Sequence, residues 1–469
     1  MGKKITINSI TRISGFLEIQ VEVEQNQIID AKSSGMLFRG FEKMLRGRPP
    51  LDAVYFTERI CGICSTAHSM ASSLALENIL DIKPNINDKM IRDFMHGCEF
   101  IQNHLRHFYQ YTLPDFVKGP DIQPLYISNH NDYRLPEYLN KELSNDYLRS
   151  LEYSRLAHEM LATLGGKAPH NHGIFVGGVT VNLDSAKWIK VKSILASIKD
   201  FVINRMIPDV YVISEYYPDY FQNGAGYMNL MSYGLFNTYE EKELFYVAPQ
   251  VIVNGERKPF NPEKITENIH RAWYESNNEV RRPTESTVDE NVHKENAYSW
   301  IKAPRYDGDP VEVGPLARMW LSGNYRNGIS TMDRTIARVL EVKKLIDIME
   351  GLLSRVQLKP TQQERYEFRG EGYGKGLTDT TRGALGHWIA TQNQEIKNYE
   401  IITPTTWNLS PEDSKGVKGV IEKALIGTTI EDVTNPIEIG RIVRSFDPCV
   451  SCATHVLSDR YSPIEIRVV

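Results

Sequence analysis

Four of the five cysteines in this chain fall in two pairs of identical spacing. The first, Cys61-Gly62-Ile63-Cys64, leads into Ser65-Thr66-Ala67-His68. The second, Cys449-Val450-Ser451-Cys452, follows Asp447-Pro448 and precedes Ala453-Thr454-His455. Two thiols three residues apart can chelate one metal centre, and soft thiolates suit zinc, iron–sulfur clusters, copper(I) or nickel. A single pair is a weak signal, because redox motifs share it. Two pairs near opposite ends of the chain say more. Zinc ribbons keep their pairs close together to staple small folds, whereas a site closed by two distant segments belongs deep in a large molecule. Cys64 and His68 would share a face of a helix. A helix beginning near Cys61 would also turn its N-terminal amides toward the thiolates. Cys98 stands alone on an apolar stripe and reads as a small core residue.

The chain's 469 residues provide two to four domains' worth of core at roughly 100–200 residues per domain. Its 54 basic and 59 acidic residues give a net charge of -5, which argues against a nucleic-acid-binding surface. Five cysteines are too few for a disulfide scaffold. The N-terminus lacks the apolar run of a signal peptide, and no stretch approaches the roughly 20 apolar residues of a membrane span. Membrane attachment is therefore expected only through a partner.

Leu17, Ile19, Val21 and Val23 alternate with polar residues, so 3–33 is predicted to form strands. A helix is predicted over 88–113, ended by Pro114. Asp184 should cap a second helix that stops at Pro208, and a third begins near Ser330 or Thr331. Residues 215–310 lack a sustained period and read as strands and loops. The glycine-rich run Gly370–Gly376 resembles a phosphate loop only superficially and reads as a flexible turn. The expected fold is α+β and predominantly α-helical. A long central helix bundle is flanked by N- and C-terminal sheet and loop segments that meet at a buried metal site. It reads as a single domain with an N-terminal part (1–64), a mainly helical part (65–380), a ligand-bearing part (381–455) and a tail (456–469).

The motifs Arg-x-Cys-Gly-x-Cys and Asp-Pro-Cys-x-x-Cys-x-x-His resemble those of the large, catalytic subunit of nickel–iron hydrogenases. Further matches run in the same order along the chain: Phe38-Arg39-Gly40-Phe41-Glu42, Gly165-Gly166-Lys167-Ala168-Pro169-His170, Arg382-Gly383-Ala384-Leu385-Gly386-His387-Trp388 and Pro404-Thr405-Thr406-Trp407-Asn408. The resemblance implies reversible cleavage of dihydrogen to protons and electrons. It makes Cys61, Cys64, Cys449 and Cys452 nickel ligands, with Cys64 and Cys452 bridging to an iron that carries carbon monoxide and cyanide. Cys449 would accept the proton and Arg382 would cover the open metal position. His68, Asp115, Asp447 and Thr405 would surround the ligands, with His68 bonding a cysteine sulfur, Asp115 or Asp447 orienting Arg382 and Thr405 bonding a cyanide. Glu42, the Ile401 carbonyl and His455 would hold magnesium, or iron, at a second site.

Several further implications follow from the same likeness. With no spare cysteines for a cluster relay, the partner would be a small subunit carrying iron–sulfur clusters. A maturation protease and nickel-insertion proteins would act on the precursor and remove the tail after His455. The compartment is open: cytoplasmic, or periplasmic and membrane-associated if the small subunit carries a twin-arginine signal. Two departures stand out. Arg12-Ile13-Ser14-Gly15-Phe16 replaces the usual Arg-Ile-Glu-Gly-His, so the glutamate that passes protons from the terminal cysteine is a serine here, Ser14. Thr380-Thr381 replaces the common Ala-Pro before the arginine. The alternatives are a relative of the quinone-site subunit of respiratory complex I, which generally lacks the paired cysteines, and a zinc-stapled structural protein.

Overall fold

The computed structural model describes residues 2–122, 128–283, 285, 288–362, 366–368 and 370–453. His455 and the tail 456–469 lie outside the described residues. Strands β1 (Lys3–Asn8), β2 (Leu17–Glu24) and β3 (Gln27–Gly35) form an antiparallel sheet at the N-terminus. The alternation read from the sequence is real: Leu17, Ile19 and Val21 point inward, and they share a core with Ile439 and Ile442 of the C-terminal helix Ile437–Ser445. The two ends of the chain are thus parts of one apolar body. Ser14 seals the junction, donating its N–H to the Pro448 carbonyl at 3.2 Å and accepting from the Val450 N–H at 2.7 Å.

The helices between them are α1 (Ser65–Leu80), α2 (Ile86–Arg106), α3 (Glu137–Gly165), α4 (Ser185–Phe201), α5 (Ile207–Tyr216) and α6 (Thr331–Arg355). Helix α2 packs on α3 and α6, and α6 also receives α4 and α5. Their shared core contains Met95, Leu105, Leu161, Ile198, Val342 and Met349, and Cys98 lies within it as a packing residue. Asp184 caps α4 by accepting from the Lys187 N–H, and Ser330 forms a capping box with Asp333 at the start of α6.

One predicted boundary differs. The α4 segment does not stop at Pro208 but passes through a π-helical turn (Val202–Met206) into α5. Proline sits in the first turn of α5, where its missing N–H has no helical acceptor to lose. Helix α2 likewise continues through a π-helical turn (His107–Thr112) before Pro114.

The glycine-rich run is not a flexible turn. It enters strand β4 (Gly372–Thr380), which pairs antiparallel with β5 (Gly383–Gln392), itself paired with β6 (Glu395–Ile402). Strand β4 lies directly on α1. A Cβ at Gly376 would stand 1.9 Å from the Ala71 carbonyl oxygen, so only glycine allows this approach. Residues 215–310 form short strands and connecting loops, as their irregular pattern suggests. Together these elements make an α+β architecture in which helix exceeds strand.

Candidate metal centre

Cys64 is the N-cap of α1, and Cys61 lies in the preceding turn. Cys449 and Cys452 bracket the first turn of a short helix, Val450–Ala453, that the Ser14 bridge ties to the N-terminal segment. The four sulfur atoms lie within 4.8 Å of one another, and all four residues are buried. Cys61 Sγ is 3.2 Å from Cys449 Sγ, Cys64 Sγ is 3.1 Å from Cys452 Sγ, and the two C-terminal sulfurs are 3.0 Å apart. Arg39 stitches the motifs together, donating to the Ile60, Arg59 and Ser451 carbonyls.

Four thiols this close cannot all ionise without a cation. Burial opposes the Cys449 thiolate, but hydrogen bonds from Cys452, Cys61 and Cys64 outweigh it and hold that thiol well below its usual range. Its bond to Cys449 pushes Cys64 up, and burial pushes Cys452 up. A closed set of soft donors that needs positive charge fits a thiophilic metal centre. The helix amides do not serve the sulfurs as expected. The Thr66 and Ala67 N–H groups donate to Glu99, and the amide that reaches a sulfur is Ile63 N–H on Cys61 Sγ, at 3.4 Å.

Arg382 sits at the tight β4–β5 turn, where Gly383 has φ 126° and a Cβ would meet the Gly314 nitrogen at 2.5 Å. Its guanidinium is held on several sides. Nε donates to the Asp447 carbonyl at 2.7 Å, Nη2 to Asp447 Oδ1 at 2.9 Å and Asn103 Oδ1 at 2.8 Å, and Nη1 to Thr381 Oγ1 at 3.2 Å. Thr380 Oγ1 accepts from the Arg382 N–H, so both departing threonines serve this arginine. Burial works against its charge, but Asp447 and then Cys449, Cys64 and Cys61 hold it firmly protonated. Asp447 in turn accepts from Arg338 at 3.2 Å and Asn103 at 2.8 Å.

Asp115 does not orient Arg382. It accepts from Arg12 and from both Arg444 Nε and Nη2, each at 2.7 Å, at the end of the π-helical extension that displaces it from an α-helical register. Thr405 Oγ1 accepts the Cys449 N–H at 3.0 Å. His68 Nδ1 faces His387 Nε2 at 3.1 Å, and His387 Nδ1 meets Tyr399 OH at 2.8 Å. Burial lowers His68 to about 4, so it is a neutral imidazole whose Nε2 is left for a sulfur. Ser14 lies beside Cys449 through the backbone bridge described above.

Glu42 accepts the Ile401 N–H at 3.1 Å, which places two of the three expected second-site residues together; His455 is outside the described residues. Around Glu42 lie Glu267, Glu400, Lys302 and Arg281. Burial, and then Glu400, push Glu42 up to about 8. A cation bound there would let Glu42 ionise beside Glu267 and Glu400, and these oxygen donors fit magnesium.

Sequence reasoning missed Asn103, Arg338, His387 and Glu99. The available signal was a polar spacing of four: Glu99 and Asn103 lie on one face of α2, and His107 follows at the start of the π-helical turn.

Buried thiols gathered from both chain ends beneath a clamped arginine define a large metalloenzyme subunit. The nickel-dependent hydrogenase family model matches residues 39–124 and 119–455, and the chain belongs to that family. It is similar to the periplasmic [NiFeSe] hydrogenase large subunit of Desulfomicrobium baculatum, with 34% identity over 97% of this chain and 95% of the relative. The Hydrogenase-1 large chain of Escherichia coli is 31% identical over 98% and 96%. A solved [NiFeSe] hydrogenase structure from Dm. baculatum superposes with a TM-score of 0.93, at 34% identity over 97% of this chain and 100% of that chain. The NiFeSe hydrogenase of D. vulgaris Hildenborough gives 0.92 at 35%, over 97% and 100%. The chain is therefore a hydrogenase large subunit, an oxidoreductase acting on dihydrogen, and nickel and iron are the metals its thiol cluster implies.

Proposed function

We propose that this chain cleaves dihydrogen heterolytically and reversibly at a nickel–iron centre held by its four paired cysteines. The observation that carries this is the gathering of four buried sulfurs within 4.8 Å, facing the charge of Arg382. When bound, the metal pair supplies a polarising, redox-active site for dihydrogen. Cys61 and Cys449 would hold nickel alone, and Cys64 and Cys452 would hold nickel together with iron. Cys449 would take the released proton on its sulfur. Arg382, locked by Asp447, Asn103 and Thr381, keeps a fixed positive charge facing the sulfurs. His68 and Thr405 fix the cysteine side chain and backbone. The selenium in the names of the most similar relatives has no counterpart here, since all four candidate ligands are cysteine.

The iron would carry carbon monoxide and cyanide, and Glu42, the Ile401 carbonyl and His455 would hold magnesium. Electrons leave to a small subunit with iron–sulfur clusters, a partner in keeping with the "large subunit" and "large chain" of the relatives' names. Nickel-insertion proteins and a maturation protease prepare the site. Among the described residues no helix is long and apolar enough to cross a membrane. Export would follow the small subunit, as the periplasmic relative suggests.

Infrared spectroscopy tests the reading most directly. Bands from metal-bound carbon monoxide and cyanide, with nickel and iron by elemental analysis, are expected. Zinc alone, without those bands, would make the cluster a structural staple.

A further inference from the structure

Two buried carboxylates sit on the first turn of α1 and have no role in the scheme above. Glu99, from α2, accepts the Thr66 N–H at 2.6 Å and the Ala67 N–H at 3.1 Å. Glu58 ends the short helix Asp52–Glu58 and bonds the Ser69 hydroxyl one turn further along α1. Glu58 Oε1 has no hydrogen-bond partner among the described residues. Glu99 is 5% exposed and Glu58 is fully buried.

The pair spans the distance from the metal site to the surface. On the inner side, Glu99 shares a face of α2 with Asn103, whose Oδ1 accepts from Arg382 Nη2 at 2.8 Å. The Arg382 charge acts on Glu99 directly. On the outer side, Glu58 meets Arg59 at 3.3 Å, and the Arg59 side chain is 43% exposed. The loop after α3 closes this corner: Asn171 Nδ2 donates to Thr66 Oγ1 at 3.2 Å, and His170 N–H donates to Ser65 Oγ at 2.9 Å. The Gly-Gly-Lys-Ala-Pro-His motif therefore holds the turn on which both carboxylates rest.

A carboxylate at a helix N-terminus is ordinarily held as an anion. Here burial overrides the helix. It raises Glu99 to about 7 against the Thr66 and Ala67 amides and Arg382. It raises Glu58 to about 8, with Glu99 adding to it and Ser69, Arg59 and Lys167 opposing. Burial thus moves both carboxyls toward neutral pH, where a group can take up and release a proton as a relay requires.

We propose that Glu99 and Glu58 form a proton relay that leads from the Arg382 side of the metal site to the surface at Arg59, independently of position 14. The proposal rests on the site cleaving dihydrogen. Each dihydrogen yields two protons and two electrons, and the electrons depart separately to the partner. As the S–H bond at the cysteine breaks, an O–H bond forms at Glu99. The Thr66 and Ser69 hydroxyls, or water between them, then pass a proton to Glu58, which releases it outward.

The test compares the holoenzyme with its Glu99→Gln and Glu58→Gln variants. Exchange of D2 with solvent protons requires the relay; conversion of para- to ortho-hydrogen requires only cleavage and recombination at the metals. Each variant is expected to lose about 100-fold in exchange while para–ortho conversion persists. Unchanged exchange in both variants would overturn the relay, as would exchange and conversion falling together. In the parent enzyme, infrared difference spectra between hydrogen-reduced and oxidised states should contain a protonated-carboxyl band that disappears in Glu99→Gln. A parent spectrum without such a band rejects the relay even if the variants fail to fold. The carbon monoxide and cyanide bands report on the underlying site independently, so the failure of one reading is distinguishable from the failure of the other.

Discussion

The molecule buries two clusters of acidic groups and balances them in opposite ways. Around Glu400 the chain supplies cations of its own. Lys302 contacts Glu400 and lies 3.6 Å from Glu267 and 3.7 Å from Glu42, while Arg281 reaches Glu267 at 3.2 Å and Glu400 at 2.9 Å. Around the four thiols, Arg382 is the facing guanidinium, and its charge is already matched by Asp447 at 2.9 Å. With Glu42 ionised, one cluster is a single charge short of balance, and the other depends on imported charge. A metal would therefore tune the first site and build the second.

Removing a sulfur should break the comparison most completely. Cys64→Ala deletes a proposed ligand, and loss of both nickel and iron by elemental analysis is expected, along with all hydrogen uptake. Retention of both metals would mean that the cluster is not built by this thiol. Arg382→Lys is the next step down. A lysine keeps the charge but cannot bond Asp447, Asn103 and Thr381 at once. Hydrogen uptake should fall about 10²–10³-fold with metal content unchanged. Parental rates in that variant would reduce Arg382 to a counter-ion for Asp447.

How far the sequence revealed these sites follows from the range of the interactions. The cysteine pairs, the Asp184 and Ser330 caps and the β2 alternation are local patterns, and the structure bears out those elements. Glu42 and Ile401 came together as the family likeness implied, although nothing in their own neighbourhoods announces Lys302 or Glu267. Asn103 and Arg338 meet Asp447 across hundreds of residues, so no window of sequence contains their pairing. Asp115, which the family likeness set beside Arg382, is paired instead with Arg12 and Arg444, partners distant in sequence. Gly374 and Gly376 looked like a turn because their reason, contact with α1, lies 300 residues away. Short-range chemistry is legible; the partner of a buried charge is not.

The carboxylate cluster can be tested by removing its surplus charge. Glu42→Gln leaves two carboxylates facing Lys302 and Arg281, a balanced set. If a divalent cation supplies the missing charge, chelation should destabilise the parent by about 2.7 kcal/mol relative to cation at a hundredfold excess over Kd. The variant should show no such dependence. Thermal unfolding with and without chelator measures both, and a chelator effect that survives the substitution would remove Glu42 from the site. Asp115 supplies a control, being fully paired by arginines. Burial raises its pKa, but Arg12 and Arg444 outweigh this and lower it from 3.8 to about 2. Because the folded value is depressed, its stabilisation is present above the unfolded value and is lost as pH falls through the folded one. That contribution is about 2 kcal/mol. The stability gap between the parent and Asp115→Asn, from urea unfolding, should therefore narrow between about pH 5 and about pH 2.

Ser14→Glu should have the smallest effect of all, and it separates the two sides of the thiol cluster. Position 14 touches Cys449 through the backbone, which is where a proton-passing carboxylate would be most direct. The serine hydroxyl does not ionise near neutral pH. If protons leave by Glu99 and Glu58, a glutamate at position 14 adds a parallel route to one already sufficient. Hydrogen uptake and D2–solvent exchange should then stay near parental values. In a Glu99→Gln background the same substitution should restore exchange, because the new carboxylate beside Cys449 replaces the lost acceptor. A large gain from Ser14→Glu alone would show instead that proton release limits the native enzyme and that position 14 controls it.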